Sequence, residues 1–203
     1  MNDSPPLSKG SISHVPDSDI LTMTQECFLS ANPDFDCVAT GALVFSRATG
    51  EDRILLIQRA LHDSWPGRWE VPGGGCDAED ESIHHSVARE LLEESGLVLK
   101  DVVREVGEAQ IFLTRSRKRV AKFTFEVDVE TPVPGVLPEV ALDPAEHMDF
   151  IWATEEECQL GKKAGGPPSG LGLETMDIEF TSDEQKASIL QGFELRRECE
   201  NLK

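Results

Sequence analysis

Apolar residues recur along the chain with two periods, and the changes between them mark out a mixed α and β order. Residues 38–45 and 54–57 are rich in apolar and β-branched positions and are separated by a ThrGlyGluAsp turn, which predicts a strand pair. From about Glu81 to Ser95 the period lengthens: Ile83, Val87 and Leu91 fall at helical spacing, and Gly96 supplies a stop. Residues 97–106, 109–113 and 119–129 read as strands, the last with Phe123, Phe125 and Val127 alternating onto one face. Residues 148–153 predict another strand, and Thr154 followed by three glutamates predicts an N-capped helix with acids in its first turn. Lys162 to Gly172 reads as a long Gly/Pro loop, and the chain from Ser182 as a helix with Ile189 and Phe193 on its apolar stripe.

The sum predicts an α+β domain whose sheet is sandwiched by helices. Residues 1–36, polar and rich in turn formers apart from a weakly apolar stretch at 20–29, are expected to form a partly disordered tail, and 37–203 a single catalytic domain. At 203 residues and 39% hydrophobic content the chain can bury one substantial core. No stretch reads as a secretory or membrane-spanning segment, so an intracellular, cytoplasmic protein is expected. The five cysteines are scattered and include no CxxC pair, which argues against zinc or a redox motif, and Cys76 is expected to be an inert thiol.

A formal charge of −19 disfavours a nucleic-acid polymer as partner, because its phosphates would be repelled. A nucleotide-like small molecule is still admitted, since a divalent cation bridges acidic protein to phosphate. No membrane partner is expected, and the oligomeric state is not legible. The acids converge in one place. Glu90, Glu93 and Glu94 share one helix edge, and positions three and four apart lie only about 5–6 Å from each other at Cβ. Such like-charged pairs cost roughly 0.2–0.5 kcal/mol each, and acids near a helix C-terminus oppose the macrodipole. A hard cation such as Mg²⁺ relieves that repulsion and supplies phosphate chemistry. The acids alone fit a solvated acidic face equally well. Two neighbours change the picture. Arg89 is placed to reach back to Glu81, and Gly73, Gly74 and Gly75 let the main chain approach a ligand.

Gly75, five residues, Glu81, seven residues, then Arg89-Glu90-Leu91-Leu92-Glu93-Glu94-Ser95-Gly96-Leu97 resembles a complete Nudix box, all nine of its restricted positions being filled across 23 residues. The resemblance implies the Nudix fold, an α/β/α sandwich around a mixed sheet, and hydrolysis of a nucleoside diphosphate linked to a further moiety. It further implies that Glu90, Glu93 and Glu94 hold Mg²⁺, or Mn²⁺, with the Gly74 carbonyl as a further ligand, and that Arg89 and Glu81 organise the loop and helix. For the general base it leaves Glu90, the first choice, or a later acid among Glu139, Asp143 and Glu146.

Upstream, LeuLeuIleGlnArg ending at Arg59 and GlyArgTrpGluValProGlyGly resemble the MutT-like group, for which nucleoside triphosphates are common substrates. The candidate substrate-binding set is therefore Arg59, Trp69, Gly73, Gly74 and Gly75, with Trp65 or Trp69 offered to a base. Tyrosine is absent, which removes a feature associated with dinucleoside polyphosphate hydrolases. The basic run Arg115, Arg117, Lys118 and Arg119 reads either as a phosphate contact or as a charged turn. His62, His84, His85 and His147 receive no role. The alternative function is a catalytically silent Nudix module that binds a nucleotide or a protein; the intact box argues against it.

Overall fold

The computed structural model describes residues 20–131, 133, 135–164 and 175–201. Its centre is a seven-stranded mixed sheet in the order β3-β2-β1-β6-β4, with β7 paired to β2 and β5 to β6. The strands are β1 (Cys37–Ser46), β2 (Arg53–Arg59), β3 (Trp69–Glu70), β4 (Leu99–Glu105), β5 (Gln110–Leu113), β6 (Arg119–Val129) and β7 (His147–Thr154). The expected hairpin between β1 and β2 exists, but it pairs only at Phe45 with Ile54 and Ser46 with Arg53. The long partner of β1 is β6, parallel over eight residue pairs, and this pairing makes the sheet mixed.

Because side chains alternate across a strand, β1 and β2 feed two cores. One holds Val38, Ala42, Val44, Phe123, Phe125 and Val127 against α2 (Ile83–Ser95), through Ile83, Val87 and Leu91. The other holds Leu43, Ile54, Leu56, Trp69 and Val71 against α4 (Asp183–Asn201), through Ile189 and Phe193. The result is the expected sandwich. Gly192 permits the close approach of α4, since a Cβ there would lie 2.7 Å from Leu43 Cδ1.

Helix ends follow local chemistry. Ser82 caps α2 by accepting the His85 N–H, so the helix starts two residues after Glu81, and Gly96 ends it in the left-handed region at φ 69°. Thr154 caps α3 (Glu155–Leu160), and the Glu157 side chain returns to the Thr154 N–H in a full capping box. Of the expected loop at 162–172, residues 162–164 form β8 (Lys162–Ala164), paired with β9 (Thr175–Asp177), and 165–172 lie outside the described residues.

The expected tail divides. Residues 1–19 are outside the described set, whereas 20–36 pack as part of the domain. A short 3-10 turn (Ile20–Thr22) leads into α1 (Gln25–Ala31), and Ile20, Phe28 and Phe35 enter the α2-side core. Phe28 meets Phe123 edge-on at 5.5 Å between centroids. Leu21, Met23 and Leu29 pack against the same core, so the apolar residues of this polar segment hold it on the sheet. No helix among the described residues is long and apolar enough to cross a membrane.

Candidate active site

After β3 the chain runs beside β1 as Val71-Pro72 and the glycine triplet. Ala42 donates to the Pro72 carbonyl at 2.8 Å and Thr40 to the Gly74 carbonyl at 2.8 Å. Gly73 has φ 145°, and a Cβ there would collide with the Thr40 carbonyl and come within 2.7 Å of Gly41 Cα. At Gly74 a Cβ would sit 2.7 Å from Glu90 Oε2. Glycine is thus required twice over: once by the backbone, once by the carboxylate facing it.

α2 brings its box residues to this loop. Glu94 is 5% exposed, and its Oε2 accepts the Gly73 N–H at 2.6 Å. Burial drives the Glu94 carboxyl up to about 9; the Gly73 N–H and Lys122 pull it down, while Glu70 and Glu90 push it further up. Burial also raises Glu90, against the hydrogen bond and charge of Arg89. Glu93 is mostly exposed, its Oε2 accepting from Arg89 Nη1 at 3.0 Å.

Arg89 is the clasp of this arrangement. Its guanidinium donates to Glu90 Oε1 at 2.8 Å, to the Gly75 carbonyl at 2.9 Å, and to both carboxylate oxygens of Asp80 at 3.0 and 2.9 Å. The expected partner Glu81 is exposed, and its backbone N–H donates to His85 Nδ1. The correction follows from the helix start: Glu81 precedes the Ser82 cap, so it is not on the helix and Asp80 is turned inward instead. The Arg89 hydrogen bond is the largest of the influences that bring the Asp80 carboxyl down to about 2.

Two residues of the expected substrate-binding set are engaged within the protein. Trp69 is fully buried in the α4-side core, with no ring face to offer a base. Its place is fixed by pairing with Gln58 and by a bridge to Phe180. Arg59 is committed within the protein: its guanidinium donates to Glu70, Asp63 and the Ser64 carbonyl. Trp65 remains exposed, in a turn where it adopts φ 59°.

Besides Asp80, sequence reasoning missed Glu70 and His147. Glu70 is 5% exposed and lies between Arg59 and His147, whose Nε2 is 3.4 Å from Glu70 Oε1 and 3.9 Å from Glu94 Oε1. Burial works to raise Glu70, but the His147 hydrogen bond and the charges of Lys122 and Arg59 hold it below the usual carboxylate range. Of the three loop acids, Glu146 is the one brought in, since carboxylate oxygens of Glu94 and Glu146 and a ring nitrogen of His147 lie within 4.8 Å of one another. Asp143 instead ties its own loop, accepting from Ala145, Glu146 and His147 backbone N–H groups. Glu139 is exposed, as are His84 and His85. Cys76 is buried, and burial pushes its thiol up to about 11, in keeping with an inert role.

A glycine loop facing three carboxylates on a helix edge, one of them buried, and fastened by an arginine clasp is the arrangement of an enzyme that cleaves phosphoanhydrides. The sequence profile of the NUDIX domain matches residues 37–169, and the chain belongs to the Nudix family. No curated protein sequence matches the chain. Among solved structures, the chain is similar to the MutT protein of Methanosarcina mazei Go1, with TM-score 0.50 and 24% identity over 82% of this chain and 96% of that one. It is similar to a C. elegans Ap4A hydrolase, with TM-score 0.57 and 16% identity over 80% and 98% of the two chains. It also resembles the NUDIX domain of Shewanella oneidensis NrtR solved with ADP ribose, with TM-score 0.57 and 19% identity over 86% and 99%.

Proposed function

We propose that the chain hydrolyses a diphosphate bond in a nucleotide-like small molecule, with Mg²⁺ or Mn²⁺ held by Glu90, Glu93, Glu94 and the Gly74 carbonyl. The observation that carries this reading is Glu94: a buried carboxylate with one backbone donor, facing Glu70 and Glu90. Like charges so placed favour a cation between them, and the donor set is the oxygen-rich one that Mg²⁺ takes. The residues fit. Arg89 takes one oxygen of Glu90 and one of Glu93, and Gly73 takes one of Glu94, so each carboxylate keeps a second oxygen.

A bound divalent cation polarises phosphate oxygens and lowers the pKa of its water. The chain's own part is positional. Arg89 holds Glu90 in place, the glycine loop leaves room for phosphate beside the carboxylates, and Glu90 or Glu146 accepts the proton of the attacking water. Among substrates we favour a nucleoside triphosphate, on the strength of the GlyArgTrpGluValProGlyGly approach and the likeness to a MutT protein.

The test is hydrolysis, with Mg²⁺, of a panel containing nucleoside triphosphates, oxidised dGTP, ADP-ribose, dinucleoside polyphosphates and coenzyme A, alongside Glu94→Gln. Cleavage at the diphosphate that is lost in the variant supports the proposal. A wild-type protein that binds these compounds and cleaves none of them is a silent module.

A further inference from the structure

Lys122 stands on β6 in a row that crosses the sheet: it pairs with Ala39 of β1, and Ala39 bridges to Gly75 of the glycine loop. Its side chain leans along β1, so that its Cε lies 3.1 Å from where a Cβ of Gly41 would be. Gly41 Cα in turn lies within 2.7 Å of where a Cβ of Gly73 would be, and the Gly73 N–H holds Glu94. Lys122 and the Gly73 amide that holds Glu94 thus both border the Gly41 backbone, where Val71 Cγ2 and Thr124 Oγ1 also approach. A Cβ at 73 would collide with the β1 backbone and one at 41 would crowd Lys122, so glycine at both positions lets the loop, β1 and the lysine lie this close.

Lys122 is half-buried and has no hydrogen-bond or ion-pair partner among the described residues. The other cations near the site are committed, Arg59 to Glu70 and Asp63, and Arg89 to Asp80, Glu90 and Glu93. The basic run 115–119 lies in and beside the turn that precedes Lys122, between β5 and β6. Arg117 occupies the turn at φ 65°, and Arg119 lies over the Phe35 ring at 4.9 Å. The charge of Lys122 is felt at the site, since it draws the Glu70 and Glu94 carboxyls downward. A flexible ammonium beside glycine backbone is suited to a phosphate as a point charge.

We propose that Lys122 binds a phosphate of the substrate across the Gly41–Gly73 backbone, on the side opposite the box carboxylates, so that the site selects a polyphosphate chain extending beyond the cation. This rests on the hydrolase reading above, yet its binding part is testable without turnover. The probe is inorganic pyrophosphate titrated calorimetrically with Mn²⁺ present, into the wild type, Lys122→Met and Lys122→Arg. The expected result is a pyrophosphate Kd about tenfold weaker in Lys122→Met, largely restored in Lys122→Arg. KM for the cleaved nucleotide rises in parallel, while the unfolding midpoint is unchanged and Mn²⁺ alone binds as tightly or more so.

Equal pyrophosphate affinity in wild type and Lys122→Met overturns the proposal, as does a loss that tracks a loss of folding in both variants. A wild type that binds pyrophosphate through Lys122 but cleaves no nucleotide overturns the hydrolase reading and leaves the phosphate site standing.

Discussion

Glu94 and Glu126 are both buried glutamates, one on each side of the same sheet, and they are held in opposite ways. Glu126, 2% exposed, sits between two arginines: Arg196 Nη1 of α4 at 2.6 Å and Arg104 Nε of β4 at 2.8 Å. Arg196 continues to Asp52 at 2.9 Å and stacks on Phe45 at 4.8 Å. Glu94 has one backbone N–H, a histidine ring at 3.9 Å, and two further glutamates around it. A buried carboxylate that serves the fold is paired from within the chain. One that lacks a paired cation is reserved for something that arrives from outside.

That contrast is sharpened most by activity. Glu94→Gln should cut kcat by about 10²–10³-fold or more, the scale of losing one preorganised electrostatic group, while the cation-free protein stays as stable as the wild type or gains stability. Glu126→Ala should do the reverse. It leaves two arginines without their shared partner and should cost about 3 kcal/mol in denaturant unfolding, moderated because both arginines are partly exposed. Turnover per folded molecule should change little. A Glu126 variant that folds normally but is inactive would break the comparison.

The pH dependence comes next in size. Without a cation, folded Glu94 keeps its proton up to about 9, whereas an unfolded glutamate releases it near 4.3. Between these values the folded chain binds the extra proton, so this group's contribution to stability is full below the lower value and is lost as pH rises toward 9. Denaturant unfolding across that window should fall less steeply in Glu94→Gln. Adding Mn²⁺ should offset the fall in the wild type, since cation binding requires the ionised carboxylate.

The smallest effects test the clasp. Asp80→Asn removes the charge that two Arg89 donors meet and should cost about 1–3 kcal/mol. Glu81→Gln, at an exposed position, should stay within about 0.5 kcal/mol in thermal or denaturant unfolding. Equal losses would return Glu81 to the role expected from the box.

What was legible in the chain was local. The box spacing places three carboxylates on one helix edge without any knowledge of the sheet, because helical geometry alone brings positions 90, 93 and 94 together. The caps at Thr154 and Gly96 were legible for the same reason. Less legible was the opposite face of β6. Phe123, Phe125 and Val127 announce one buried face, but the burial of Glu126 on the other depends on Arg196 of α4, far along the chain. The fold of residues 20–36 was hidden by their polar composition, which outnumbers Phe28 and Phe35 but does not outweigh them.

Sequence by itself determined the class of protein and the helix that bears its carboxylates, since both are written in one short stretch of chain. Tertiary structure decided the rest. It chose Asp80 over Glu81 for Arg89, withdrew Trp69 into the core, and brought Glu70, Lys122 and His147 to Glu94 from β3, β6 and β7. The last three lie 24, 28 and 53 positions from Glu94 along the chain. Their partners are set by strand order and register, which no local pattern encodes.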